Sequence, residues 1–413
     1  MIVYDNKSNE YSLFMKTTDV LFPDIPKDKI LIYDIDTTSF EAANGCVFMI
    51  GVLFFDNTST GGELVSHHYF SEKISEELTI IETFLDFSTE YTICLSYKGE
   101  SFDIPFISKR LFDLKKQNPG NKDLCDRLSA LYTKLQSLRS RSYDLYNEIH
   151  AVKAGLNFTS SKLDSLRKIL GQSVPERISG ENISKFYVEH IAAMKLKALQ
   201  EISCKPENTG YIREYVRKPI PDELAHISSD SGDRFLDNIL ARNLENMEAV
   251  LYIMKLSHLF VMRRGSFDVT IGSVPTVTFS ISERDFHIDI PVEIQTLNLK
   301  IFYANFKDYY YFPSEDMAIH KSIAEFTGTG SKKKATSKTA YANVSGDFIR
   351  IPRTYAMSDT QKASNKYKTC YEAEEYYIPV QEVLRLNNES IKELAYYTFL
   401  EYAGKNIQNI FFT

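Results

Sequence analysis

Ile30-Leu31-Ile32-Tyr33-Asp34-Ile35-Asp36-Thr37-Thr38 reads as a buried strand that ends in two carboxylates. Side chains alternate along a strand, so Asp34 and Asp36 leave the same face. Two like charges at a buried strand end repel each other unless a cation offsets them, and hard carboxylate oxygens suit Mg²⁺ or Mn²⁺. The alternative is a solvated strand end whose carboxylates cap the next turn, and this segment taken alone allows both.

Working outward, residues 46–55 form a second strand, Gly61-Gly62 a hairpin turn and residues 63–70 a third strand. Residues 72–88 carry Ile74, Leu78, Ile81, Phe84 and Leu85 at helical spacing; 91–97 is a fourth strand and 104–114 a helix. Asn118-Pro119-Gly120-Asn121 breaks that helix. Leu124, Leu128, Leu131, Leu135 and Leu138 then give an amphipathic helix of about two heptads, too short for a coiled coil and read as half of a helical hairpin. Residues 161–170, 181–199 and 234–259 are helical, with a polar connection containing Pro206, Pro219 and Pro221. Residues 1–28 read as polar and irregular.

After the fourth strand comes Ser96-Tyr97-Lys98-Gly99-Glu100-Ser101-Phe102-Asp103-Ile104-Pro105. Gly99 permits a tight turn, and Asp103 stands where a helix begins, a position at which an Asp taken alone is usually an N-cap. A strand ending Asp-Ile-Asp-Thr-Thr, a hairpin, a helix, a strand and then Y-x-G-x-S-F-D-x-P resembles the YprB-type ribonuclease-H-like exonucleases, relatives of DnaQ. Tyr143-Asp144-Leu145-Tyr146 resembles that family's D-L strand end, and 163–171 its L-x-x-L-E-x-x-L-G helix. Ser179-Gly180-Glu181 followed by Phe186-Tyr187 resembles its S-G-x-E…Y segment, so the likeness covers about residues 30–257.

The resemblance implies an α/β fold, a ribonuclease-H-like mixed sheet flanked by helices. It also implies a metal-dependent nuclease, a 3′–5′ exonuclease acting on DNA or RNA. In such enzymes four acids hold two divalent ions that clamp the attacking water and the leaving oxygen of a phosphodiester displacement. Asp34, Asp36 and Asp103 fall on three of those positions, and Thr37 is taken as a nucleic-acid contact. The fourth acid comes from a helix bearing H-N-x-x-D. Here that helix reads Arg242-Asn243-Leu244-Glu245-Asn246, with Arg242 at the His position and Asn246 at the final Asp position. Asn is neutral and Arg is no base at neutral pH, so the second metal is expected to bind weakly. A ribonuclease-H-like binding or scaffolding protein that has lost its chemistry is the competing reading.

From about residue 260 the pattern changes. Phe267, Val269 and Ile271, then Val277, Phe279 and Ile281, then Phe286, Ile288 and Ile290 alternate with polar residues, the signature of antiparallel strands. The expected layout is an N-terminal extension at 1–29, the ribonuclease-H-like domain at 30–257 with a helical insertion at 112–141, and an α+β C-terminal domain at 258–413. Within the last, Pro313-Ser314-Glu315-Asp316 is read as the start of a helix over 315–326, and 389–403 as a closing helix. Lys332, Lys333, Lys334, Lys338, Arg350, Arg353, Lys362, Lys366 and Lys368 face only Asp347 and Asp359 within 331–370, a local charge of +7 with tyrosines interleaved. That pattern suits a nucleic-acid clamp, or a solvated loop face.

Over its 413 residues the chain carries a net charge of −7, with 43% hydrophobic and 25% charged residues, which excludes a general nucleic-acid coat protein but not an acidic catalytic centre. Its five cysteines form no C-x-x-C pair, which argues against a zinc ribbon and a disulfide framework. No basic start leads into an apolar core, and the apolar run at 47–55 is too short for a bilayer, so the expected location is cytoplasmic. His67 and His68, adjacent on a strand, point to opposite faces, and Asp316 with His320 supplies too few ligands for a metal.

Overall fold

The computed structural model describes residues 1–58, 61–172, 182–203, 232–272, 277–326, 330–358 and 367–411. Ser179-Gly180-Glu181, Cys204, the three prolines of the 206–221 connection, Asp359, Lys362 and Lys366 lie outside them. The chain divides into two units, Met1–His150 with Ser160–Ser257, and Ala151–Thr159 with His258–Thr413.

In the first unit β1 (Ile2–Lys7), β2 (Ile30–Thr37), β3 (Val47–Asp56), β4 (Glu63–Phe70), β5 (Ile93–Ser96) and β6 (Ser142–Asp144) form one mixed sheet. Its order is β1-β4-β3-β2-β5-β6; the β2–β5 and β5–β6 pairs are parallel and the others antiparallel. The sequence reading leaves β1 out, because an edge strand buries only part of one face: Ile2 and Tyr4 are half-buried and the rest mostly exposed. With α1 (Tyr11–Leu21), β1 makes the opening residues part of the unit rather than an extension.

Central β3 is apolar from Val47 to Phe55 because both its faces are covered. On one face lies α2 (Glu77–Ser88), with Ile80, Ile81, Phe84 and Leu85 buried. α3 (Asp103–Gln117) and α4 (Lys122–Ser140) form the expected hairpin, and Leu128, Leu131, Leu135 and Leu138 of α4 are fully shielded within the same core. After α5 (Leu145–Val152) and α6 (Leu163–Ile169), the opposite face of the sheet carries α7 (Ile183–Ser203) and α8 (Gly232–Met254). Here Tyr187 stacks on Phe48 with ring centroids 4.1 Å apart.

In the second unit β7 (Asp268–Gly272), β8 (Val277–Glu283) and β9 (Phe286–Val292) form an antiparallel sheet, with Val277, Phe279 and Ile281 on its buried face. The remaining strands are β10 (Ile294–Phe302), β11 (Tyr309–Phe312), β12 (Met317–His320), β13 (Lys333–Lys334), β14 (Tyr341–Ile351), β15 (Tyr367–Lys368) and β16 (Tyr376–Pro379). β10, β14, β16 and β15 close into a small barrel, and β12-β11-β13 make a third sheet. α9 (Ser257–Arg263) begins at the division between the units, and α10 (Asn388–Phe411) closes the chain. Residues 151–159 pack on α10: a Cβ on Gly155 would meet Leu400, and one on Gly404 would lie 2.7 Å from the Leu156 carbonyl oxygen.

The helix expected over 315–326 is not formed. Asp316 adopts φ +47°, a left-handed conformation that a helix interior does not accept, and its carboxylate accepts hydrogen bonds from Tyr311 (2.8 Å) and Tyr341. Residues 317–320 therefore pair with β11, and only Lys321–Ala324 make a single helical turn. Among the described residues no helix is long and apolar enough to cross a membrane.

Candidate active site

Asp34 and Asp36 project from the same face of β2, where the Nδ2 of Asn243 donates to both, 3.1 Å from Asp34 Oδ2 and 2.9 Å from Asp36 Oδ2. Asn246, one turn further along α8, donates to the same Asp34 oxygen at 3.1 Å. This approach of helix to sheet depends on Gly51, which pairs with Asp34 across β3: a Cβ there would lie 1.7 Å from Asn243 Oδ1.

Asp103 is the first residue of α3 and caps nothing; Phe102 holds the cap position. It is 4% exposed, and its Oδ2 has no hydrogen-bond partner among the described residues. Its position follows from the turn before it. Asp144, at the end of β6, accepts from the backbone N–H of Lys98 (2.8 Å), Glu100 (3.1 Å) and Tyr146 (2.9 Å). Lys98 is left-handed at φ +69°, and Gly99 leaves no room for a side chain, since a Cβ would lie 2.2 Å from Ser96 Oγ. The D-L motif at 144–145 thus works as a clamp on the segment that carries Asp103.

These aspartates are electrostatically strained. Withdrawal from water raises the Asp34 carboxyl to about 6, offset in part by the Asn246 hydrogen bond and the charge of Arg242. Asp36 is raised to about 8, by withdrawal from water and then by the Asp34 charge, against the opposing pull of Asn243 and Arg242. Asp103 is raised well above the carboxylate range by burial, then by Asp34, Asp144 and Asp36. A cation placed among them would favour the charged form of all three. Yet, among the described residues, no three Asp, Glu, His or Cys side chains are grouped to hold a metal. The donors fit a hard divalent ion in kind: carboxylate oxygens, one lacking a partner, and the shielded Oδ1 atoms of Asn243 and Asn246, which also lack one.

Of the other residues singled out in the sequence, Thr37 spends its hydroxyl on the Ser39 carbonyl (2.8 Å). Arg242 is buried, at 7% exposed, and paired with Asp164 at 2.7 Å. Asn243 was not singled out, because a neutral side chain gives no charge signal. The clue available was its match to the Asn of H-N-x-x-D, together with the i, i+3 spacing from Asn246 that puts both on one face of a helix. His67 pairs with Asp5 at 2.7 Å, whereas His68 is buried, which lowers its pKa to about 4.

In the second unit the basic segment is less free than its local charge suggests. Lys338 pairs with Glu372, Arg353 with Glu374 (2.9 Å) and Arg350 with Glu401 (2.8 Å), acids that lie beyond the segment in sequence. Lys332, Lys333 and Lys334 are exposed and form no ion pair with any described residue. The Lys332 ammonium lies 5.0 Å from the Tyr310 ring centroid, and Tyr309 stacks on Tyr303 at 4.1 Å.

Compared with known families, residues 31–204 match RNase_H_2, a family of the RNase_H superfamily. No curated protein matches the chain. The matched span takes in β2 to β6 and therefore Asp34, Asp36, Asp103 and Asp144, and the mixed sheet with flanking helices agrees with that fold.

Proposed function

We propose that this chain, which carries a ribonuclease-H-like domain, is a nucleic-acid hydrolase that cleaves phosphodiester bonds at Asp34, Asp36 and Asp103, most simply as a 3′–5′ exonuclease on DNA or RNA. The observation that carries this reading is the meeting of buried carboxylates: Asp34 and Asp36 share the Asn243 amide on one face of β2, and buried Asp103 keeps an oxygen without a partner among the described residues, with Asp34 and Asp36 both raising its pKa. A protein with no need of charge there loses nothing by replacing one of them. Asp34, Asp36 and Asp103 are the residues that would hold a Mg²⁺ or Mn²⁺ ion, which would supply an activated water and would offset the charge developing on the phosphate. Asn243 keeps the Asp34 and Asp36 carboxylates turned to one side, and Asp144 fixes the turn that aims Asp103. Asn246 contributes an amide where an acid would add charge, so cleavage is slow in Mg²⁺ and faster in Mn²⁺, which such sites bind more tightly.

A second reading, nucleic-acid binding without cleavage, is favoured by one observation: Asn246 and Arg242 of α8 only donate, to Asp34 and Asp164, and neither an amide nor a guanidinium is a general base at neutral pH. The deciding experiment incubates the protein with Mn²⁺ and end-labelled single- and double-stranded DNA and RNA, beside an Asp34→Ala control. Mn²⁺-dependent release of nucleotides by the wild type and none by the control is the expected result. Equal inertness of both, with nucleic-acid binding retained, rejects the hydrolase and leaves the binding reading.

A further inference from the structure

Beside the aspartates, α6 and α8 bring two arginines together away from water. Arg167 is fully shielded and Arg242 is 7% exposed. Two carboxylates serve them. Asp164 Oδ1 lies 2.7 Å from Arg242 Nη2 and 3.5 Å from Arg167 Nε, and Glu245 Oε2 lies 3.2 Å from Arg167 Nη2 and 4.0 Å from Arg242 Nη1. The arrangement is neutral in charge but poor in acceptors. Arg167 Nε and Nη1 and Arg242 Nε are shielded and have no hydrogen-bond partner among the described residues. Burial, and then the charge of Arg242, pulls the Arg167 guanidinium below its ordinary pKa, the mark of a pair short of negative charge.

Unfilled N–H groups on a dry guanidinium are costly, and a structure keeps them when something else fills them. A carboxylate offers two oxygens, whereas a phosphate offers up to four arranged to meet two guanidinium forks. Asp164 is the exchangeable member: its side chain is 49% exposed, short, and in the first turn of α6, so it is free to swing into water. Arg242 is close enough to lower the pKa of both Asp34 and Asp36, which puts the pair next to the carboxylate centre.

We propose that Arg167 and Arg242 form a phosphate-binding subsite beside the three aspartates, and that the Asp164 carboxylate holds the place a nucleic-acid phosphate takes. The subsite does not depend on cleavage, because its function is to grip the phosphate. It also gives Arg242 a role that a general base at that position would not have.

The test is isothermal titration calorimetry of the full chain with inorganic phosphate, in EDTA so that no metal bridges the ligand to the aspartates. Removing the competing charge with Asp164→Asn is expected to tighten phosphate binding about tenfold, and adding Arg242→Gln to that variant to abolish the gain. Thermal melting confirms that each variant is folded. Should Arg242→Gln fail to fold, Asp164→Asn, at a half-exposed position, decides alone. Unchanged or weaker phosphate binding by Asp164→Asn overturns the proposal, as does a gain that survives Arg242→Gln. A single-stranded oligonucleotide with and without a terminal phosphate then separates two sources. A gain confined to the phosphorylated form assigns the subsite to a chain end, a gain with both assigns it to the backbone diester, and a gain with neither overturns the proposal.

Discussion

Asn243 holds two carboxylates through one amide nitrogen, but it is their withdrawal from water that sets how the site responds to pH. Asp34 and Asp36 are raised to about 6 and about 8, above the ordinary 3.8. The folded protein therefore keeps protons that the unfolded chain gives up, so the stability tied to this pair is complete below about pH 4 and is lost as pH rises through 6 and 8. Metal-free protein is expected to melt several degrees lower at pH 8.5 than at pH 5.5, and Asp36→Asn to remove much of the difference. Circular-dichroism melts in EDTA check this, and a variant with the wild-type pH dependence would show that other groups cause it. Asn246→Asp works in the opposite sense. It adds a charge beside Asp34, lowering the melting temperature in EDTA, and it supplies a further ligand, raising Mn²⁺-dependent cleavage by about tenfold or more. A drop in stability with no gain in Mn²⁺ response would mean that position 246 is not the missing ligand.

At the scale of elements, the site is the place where α8 crosses β2 and β3, and the crossing distance rests on Gly51. Gly51→Ala puts a Cβ 1.7 Å from Asn243 Oδ1 and 2.9 Å from Met247 Cε, so α8 must withdraw or Asn243 must release the aspartates. Overpacking of this kind costs about 1–3 kcal/mol. Urea unfolding should show that loss, with a parallel fall in Mn²⁺ affinity; an unchanged midpoint would mean that α8 is not held as closely as this contact requires. Much of this element layer was legible in sequence. The buried apolar strands 30–36 and 46–55, the hairpin strand 63–70, the leucine stripe of α4 and the aspartates at 34, 36 and 103 carry strong patterns of apolarity or charge. What escaped did so for physical reasons. β1 is a half-wet edge with little apolar contrast. Asn243 is neutral, and its partner Gly51 is informative only once the helix is known to lie against it. The strand β12 was masked by a Ser-Glu-Asp start that reads as a helix cap until Asp316 takes a left-handed turn.

For the molecule as a whole, charge summed along the sequence misleads where the chain folds back on itself. Nine basic residues against two acids make 331–370 look like a continuous cationic strip, but Glu372, Glu374 and Glu401 return to pair with Lys338, Arg353 and Arg350. What stays exposed without an acidic partner among the described residues is Lys332, Lys333 and Lys334 at the edge strand β13, next to Tyr310. If the second unit meets nucleic acid, it does so there, with ammonium groups on phosphates and tyrosine rings available for bases. Each phosphate neutralised on a single strand contributes about 0.7 to the slope of log affinity against log salt, so replacing all three lysines by Glu should flatten that slope by roughly 2. Lys338→Glu should change it little, because that ammonium is already committed to Glu372. Fluorescence anisotropy with labelled single-stranded DNA and RNA across a salt series, in EDTA, separates the two variants. Equal slopes for the wild type and the triple variant would take β13 out of the binding surface, and a large effect of Lys338→Glu would return the neutralised part of the segment to it.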